Sequence, residues 1–519
     1  MKRHVLKTPY QYKGSYDLGL LYPIGWLEVM QGQTTYLNTS ALIRAQPLVA
    51  PAYEKMECRI VHFYVPFRIL WEDWDDFICG DRQITIPHAL FGDNKNYAKT
   101  LLDYFGLPTD FLNYQSGFDV IQYRHSFNYW LFLAYYMIWN RYFKDENDEL
   151  QPPVDIEAYR KMFDDSMVGV QPDGSGGTPI AQNAVCIKLK RVNWGKDRFI
   201  KALTLEEGQV DTSVPVRALD TLKVAGTGPT SQGVGYLTTD SAYYGPYNGA
   251  VLCRAPDASV RIDSQNGAGL KLVGGMEFSL NDLDLMASVH NFKINENKFG
   301  SDYKGYRKKY GLSQLDGRLG EPELIGGFGS TISISDVLGT GDNNLGKQGG
   351  HALGFAKGKK AFKHYAPEYG FIITMMYFRP KASYAEAVDR FLLKGDMLDF
   401  FQYEFKDVGY QPIYPSEVDM CSALGSAKIF GYEPRYNEYR SKLTHVVGEL
   451  KPNNILSHWA NPRVWSKNSG TALNSTFLEC NPNNQIWASP NTDKFIAFIN
   501  HNVTKKSFVG KAMQPKIDL

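Results

Sequence analysis

The sequence predicts a mainly β, loop-rich protein, and three observations carry that expectation. Aromatic residues make up 14% of the 519, including 33 Tyr and 29 Phe, and large rings favour pleated, half-buried surfaces. Glycine and proline are abundant, at 47 and 26 residues, as the turns between many strands require. Several short runs alternate with the period of two that a strand imposes. With 43% apolar and 21% charged residues, the chain is globular rather than disordered. Its length allows several cores of roughly 150 residues, but sandwiches with long inserted loops reach this size as one domain, here 1–519.

Taken in order, Tyr36 to Arg44 (YLNTSALIR) reads as a strand. Arg59 to Val65 sets Ile60, His62 and Tyr64 against Val61, Phe63 and Val65. Bulk on both sides marks a strand covered on both faces, and Pro66 should end its ladder. Leu70, Trp74 and Phe77 follow at helical spacing, with Gly80 as a stop. Phe127 to Tyr142 is apolar almost all round until Asn140 and Arg141, so a helix buried at a subunit contact is expected. Ser279 and Asp282 form a capping pattern ahead of the stripe Leu283, Met286 and Val289. Gly169 to Ala184 and Val210 to Gly275 read as long irregular loops. Gly326 to Gly358 reads as a third flexible, glycine-rich zone in front of a strand from Tyr369 to Tyr377. Short apolar runs at Gln485–Trp487 and Phe495–Ile499 close the pattern, with no fixed-period repeat.

No catalytic signature survives inspection: the chain lacks G-x-S-x-G, a Walker A loop and H-E-x-x-H. The histidines stand apart, and His62, inside a strand, reads as a hydrogen-bonded packing residue. Cys58, Cys79, Cys186, Cys253, Cys421 and Cys480 form no C-x-x-C pair and read as reduced thiols. The acidic run Glu72, Asp73, Asp75 and Asp76 is interleaved with Trp71, Trp74 and Phe77. It reads as the solvated side of an amphipathic turn, with a divalent cation between subunits as the alternative. No catalytic residue, cofactor or metal ligand is expected. Tryptophans, tyrosines and carboxylates also fit a carbohydrate-binding or carbohydrate-cleaving β-sandwich, but that reading needs a carboxylate pair flanking a cleft, and none stands out.

Lys and Arg number 56 against 55 Asp and Glu, for a net charge of +1, which excludes a protein that coats nucleic acid with its whole surface. A local patch remains open. Lys357, Lys359, Lys360, Lys363 and His364 alternate with Phe355, Phe362 and Tyr365. Cations beside aromatic faces suit single-stranded nucleic acid, and an ordinary solvated loop is the alternative. The basic start Met1-Lys2-Arg3-His4 is followed by Tyr10, Gln11, Lys13 and Asp17, so no signal peptide is expected, nor any membrane-spanning run.

Six segments in order carry a resemblance. The opening block from Leu18 to Gly80 contains Val65-Pro66-Phe67-Arg68-Ile69-Leu70-Trp71-Glu72-Asp73-Trp74. Leu101 to Pro108, Ile138 to Asn147, Tyr369 to Pro380, Phe430 to Arg440 and Leu473 to Cys480 follow. Together they resemble the major capsid proteins of the Microviridae, closest to the gokushovirus-type branch. Gln31-Gly32-Gln33-Thr34 departs from a frequent P-G-D-T turn of that family, and residues 210–275 match it poorly.

The resemblance implies an eight-stranded antiparallel jelly roll with helices and long loops inserted between strands, and no enzymatic role. It implies self-assembly into a T=1 icosahedral virion shell, with the chain made in the bacterial host cytoplasm. Residues 1–35 are expected as an extended arm, and 210–275 as a variable insertion forming protrusions at the threefold axes. Expected partners are other copies of the chain, packaged single-stranded DNA, a small basic internal DNA-binding protein, a minor spike or pilot protein and a host-cell receptor. A modest basic inner surface would use Lys2, Arg3, Lys357, Lys359, Lys360, Lys363, Lys505 and Lys506. Arg435 and Arg440, set among Tyr432, Tyr436 and Tyr439, read either as an interface cluster or as internal packing.

Overall fold

Alternating side chains become paired strands, and the pairing builds a jelly roll. The computed structural model describes residues 3–80, 84–91, 96–109, 125–145, 147–148, 150–166, 187–204, 320–338, 348–406, 409–421, 429–465 and 471–510, with short strands between 217 and 277 and residues 288–289. Ten strands make the main sheet: β1 (His4–Lys7), β2 (Tyr10–Tyr16), β3 (Leu21–Val29), β4 (Thr34–Ala45), β5 (Met56–Pro66), β6 (Glu323–Leu338), β7 (Gln348–Lys357), β8 (Phe362–Tyr365), β9 (Gly370–Pro380) and β10 (Phe495–Ser507). Eight of them form two antiparallel rows. One runs β2–β10–β4–β7 and the other β3–β9–β5–β6. The long strand β6 belongs to both, pairing with β5 through Ile332 and with β7 from Ser333. β1 and β8 add to the first row along β10 and β4. Residues 1–35, read as an extended arm, thus contribute β1, β2 and β3 to this sheet.

The rows enclose Tyr16, Ile24, Ile43, Ile60, Ile332, Phe378, Phe495 and Ile499, all buried. Fully burying each such side chain contributes about 1.5–3 kcal/mol. The outer face of the second row is covered as well. Phe63, Val65, Phe371, Ile373 and Tyr377 share a core with the Trp130–Tyr142 helix. Two covered faces explain why β5 and β9 read as near-continuous apolar runs.

That helix starts three residues later than the sequence predicts. Phe127 and Asn128 pair instead with the His88–Phe91 strand, and the Asn128 side chain accepts the Trp130 N–H at 2.9 Å. Its expected place at a subunit contact is also corrected. Trp130 through Tyr136 are buried in the chain's own core. Tyr135 and Tyr136 hydroxyls donate to the carbonyls of Leu21 and Lys188 at 2.9 and 2.7 Å, and the Trp139 indole donates to Arg191 at 2.8 Å. Buried rings keep their polar ends satisfied in this way. The expected turn after β5 is two short helices, Phe67–Leu70 and Trp74–Cys79, the second ending at Gly80 with a φ of 75°.

The glycine-rich zone is not a flexible loop where it is described, because β6 and β7 run through it. Gly326 sits at a register shift between β6 and β5, and a Cβ there would lie 2.5 Å from the Phe362 ring. These glycines permit close approach within a sheet, a role that composition does not separate from looseness. The chain divides into two compact units, Met1–Gly208 with Leu315–Leu519, and Gln209–Gln314. In the second, where an irregular loop was expected, Gly235–Leu237, Leu222–Gly226 and Leu270–Val273 form a three-stranded antiparallel sheet. The loop expected at 169–184 lies outside the described residues, as does the helix from Ser279 apart from residues 288–289.

Candidate nucleic-acid interface

The first row of strands has one bare face. Alternation sends Ala41, Ile43, Ala352, Ala356, Ala497 and Ile499 inward, so their neighbours point out. Register then places Lys7, Lys13, Arg44, Lys357, Lys363 and Lys506 on one surface, with Tyr36, Leu42, Phe355, Tyr365, Ile496 and Phe498 between them. Phe355 is 60% exposed and Ile496 55%. The remaining outward positions of β1, β2, β4, β7, β8 and β10 are aliphatic, hydroxyl, amide or imidazole groups, and no carboxylate stands on them. At the rim the Asp493 carboxylate accepts from the Ser15 hydroxyl and pairs with Lys99 at 2.9 Å, so the strand positions themselves offer basic residues with exposed rings, a surface suited to a phosphate backbone with accessible bases.

The residues expected to face nucleic acid divide. Lys357 ends β7, Lys363 lies in β8, and Lys359 and Lys360 stand exposed on the connection between them. All four belong to ordered sheet and turn, with β7 and β8 both paired to β4. Arg3 sits 5.2 Å from the Phe508 ring centroid and 6.0 Å from that of Tyr365, and Lys506 lies 5.6 Å from Tyr36. Lys505 has the opposite parity. It is half-buried, its ammonium donates to the Glu28 carbonyl at 3.2 Å, and burial lowers its pKa. Lys2 lies outside the described residues. His364 points inward, and burial depresses its pKa to about 4. Sequence reading missed Lys7, Lys13 and Arg44, which are scattered along the chain and meet only through register.

Residues 1–509 match the family described as Capsid protein (F protein). The chain belongs to that family. Curated relatives agree, each named Capsid protein VP1. That of Chlamydia phage 1 is 24% identical over 96% of this chain and 92% of its own length. That of Bdellovibrio phage phiMH2K is 23% identical, covering 90% and 86%, and that of Spiroplasma virus 4 is 20% identical, covering 88% and 84%. The resemblance to gokushovirus-type Microviridae and the jelly-roll expectation are both borne out, and the chain is the major capsid protein of a small single-stranded-DNA phage.

The capsid protein carries a second distinctive surface between β9 and β10. Phe391, Leu392, Met397, Leu398, Phe400, Phe401 and Tyr403 are all exposed, Met397 by 73% and Tyr403 by 67%. Three 3-10 turns hold this ridge, and the Asp399 carboxylate accepts the N–H groups of Gly395 and Asp396 at 2.9 and 3.0 Å. The expected arginine–tyrosine cluster borders it. Arg435 lies over the Phe405 ring at 5.1 Å, and Tyr439 and Arg440 are exposed. Tyr436 instead is buried against Phe401 at 5.0 Å, within the chain's own packing.

Beneath the ridge, Arg198 is clamped between Glu417 and Glu433, with its Nε 2.8 Å from Glu433. Arg390 reaches Glu417 at 3.1 Å, and both carboxylates are buried. Burial pushes the Glu417 carboxyl up, and the two guanidiniums oppose that rise. This pair is sealed from solvent and spoken for, so it offers no cleft to a sugar. Glu72, Asp73 and Asp75 are exposed while Trp71 and Trp74 are buried, the pattern of a solvated turn. Among the described residues no three metal-ligating side chains converge.

Proposed function

We propose that the capsid protein closes an icosahedral shell by self-association through the 391–403 ridge and its border at Arg435, Tyr439 and Arg440, with the bare face of the β2–β10–β4–β7 row lining the lumen against single-stranded DNA. One observation carries this orientation. The two rows of the sandwich are unequal: the second is covered by the chain's own helical insertion, while the outward strand positions of the first carry cations and rings, its nearby Asp493 carboxylate being held by Ser15 and Lys99 at the rim. A monomer rarely leaves a large apolar ridge to water unless another surface covers it, and exposed rings beside arginines are what interface anchors look like. The protein acts as structure rather than as a catalyst.

The same reading assigns residues 210–275 to the surface protrusions, in keeping with their place in a separate compact unit. With a net charge of only +1, the chain leaves much of the genome's charge to a small basic internal protein. A minor spike or pilot protein and a host receptor are the outer partners, and synthesis takes place in the host cytoplasm. A cryo-EM map of particles assembled from this chain tests the reading. Arg44, Phe355 and Phe498 should face the lumen, the 391–403 ridge should be buried between copies, and 210–275 should project at the threefold axes. A map with the bare face on the outside, or the ridge open to solvent, would overturn it.

A further inference from the structure

On the bare face, cross-strand register sets Lys13, Phe498, Leu42 and Phe355 side by side, with Ser15, Ile496, Arg44 and Leu353 in the adjoining line. Between the two lines lies a hollow of about 300 Å³, lined by Lys13, Leu42, Arg44, Ile496, Ala497 and Phe498. Its walls are apolar and its two polar residues are both cationic. The Lys13 ammonium stands 5.8 Å from the Phe498 ring centroid, and Arg44 lies one strand beyond Ile496.

We propose that this hollow seats one unpaired base of the packaged strand, an inference that rests on the bare face lining the lumen. Phe498 offers the stacking surface, Leu42 and Ile496 shield the base edges, and Lys13 and Arg44 meet the phosphates on either side. The apolar lining leaves base edges unread, so recognition is independent of sequence, as stacking permits. A duplex fits poorly, because its base faces are already stacked and the apolar walls would gain no partner. An aromatic side chain from a basic internal protein is the competing occupant. Lys13 and Arg44, with Lys357 in the next line, repel a polycation and attract a phosphodiester.

Fluorescence anisotropy with the purified full-length chain tests this, comparing oligo(dT) with an abasic strand of equal length. The wild-type chain should bind oligo(dT) more tightly. Phe498→Ala should weaken oligo(dT) binding by roughly 5- to 150-fold, the value of one stacked base, and leave the abasic strand and the salt slope unchanged. Phe498→Trp should retain binding, which separates stacking from a folding defect. Lys13→Gln should weaken both strands and lower the salt slope by about 0.7. Equal affinity of the wild-type chain for both strands would remove the base site and leave the lumen reading standing. Absence of salt-dependent binding to either strand would overturn both. If a Lys/Arg-rich peptide containing Phe binds in a Phe498-dependent way and displaces oligo(dT), the hollow belongs to a protein partner.

Discussion

Acidification from pH 7 to 5 should loosen the sandwich through His501. This residue points inward from β10, where its Nε2–H donates to the Ile24 carbonyl at 2.9 Å and its Nδ1 accepts from the Thr39 hydroxyl at 3.0 Å. Both ring nitrogens are thereby engaged in the neutral tautomer, and Tyr10 stacks on the ring at 4.5 Å. Burial pushes the pKa from 6.5 down to about 4, partly offset by the Ile24 bond. Above pH 6.5 neither folded nor unfolded chain carries the proton, and the stabilisation is fully present. As the pH falls from 6.5 towards 4, the unfolded chain takes up a proton that the folded one refuses, so stability is lost. At pH 5 the loss from this single group is about 2 kcal/mol. His62, held to Thr374 at 2.9 Å and depressed to about 3 by burial and then by His501, adds a coupled loss of the same sign. Urea unfolding of the unassembled chain at pH 7 and pH 5 measures the difference. In His501→Gln, whose amide can still donate to Ile24, the pH-dependent loss should shrink by about 2 kcal/mol relative to the wild-type chain. An equal loss in both proteins would refute the assignment.

Other perturbations follow from the same geometry. Arg198→Met removes the cation from buried Glu433 and leaves buried Glu417 with Arg390 alone, and should cost about 3–5 kcal/mol in urea titration, whereas Lys442→Met, at an exposed pair with Asp389, should change little. Gly326→Val drives a side chain into the Phe362 ring and should cost about 1–3 kcal/mol, with Phe362→Ala in the same chain recovering part of it. Replacing Phe391, Met397 and Tyr403 together by Ser should abolish particles in electron micrographs while leaving the thermal midpoint of the isolated chain within a few degrees. Changing Lys357, Lys363 and Lys506 to Gln should lower the salt slope for oligodeoxynucleotide binding by about 2, and an unchanged slope would remove these cations from the interface.

The sequence made local elements legible wherever one face or two had to be apolar. Arg59–Val65 and Tyr36–Arg44 became β5 and β4, and Gly80 stopped its helix. Coverage was harder to see. Phe495–Ile499 is apolar on both sides, yet Phe495, Ala497 and Ile499 are buried while Ile496 and Phe498 are exposed. Alternation fixes which residues share a face, but what covers that face comes from distant chain. Lys505 and Lys506 show the same limit at finer grain: adjacent cations fall on opposite sides of one strand. Gly326 misled because glycine serves both mobile loops and crowded ladders. The ridge at 391–403 carried no periodic signal, since 3-10 turns present its rings singly.

The position of β10 has a consequence for how the chain is made. It is last in the sheet by sequence, yet it lies between β2 and β4, which are among the earliest. At about 5–20 residues per second, roughly half a minute to a minute and a half of synthesis separates β2 from its partner. During that interval the facing edges of β2 and β4 have no strand to pair with, and open edges invite pairing with another chain. The nascent protein therefore depends on timing: closure waits on the final segment, and crowded ribosomes translating the same message would hold many such open edges at once.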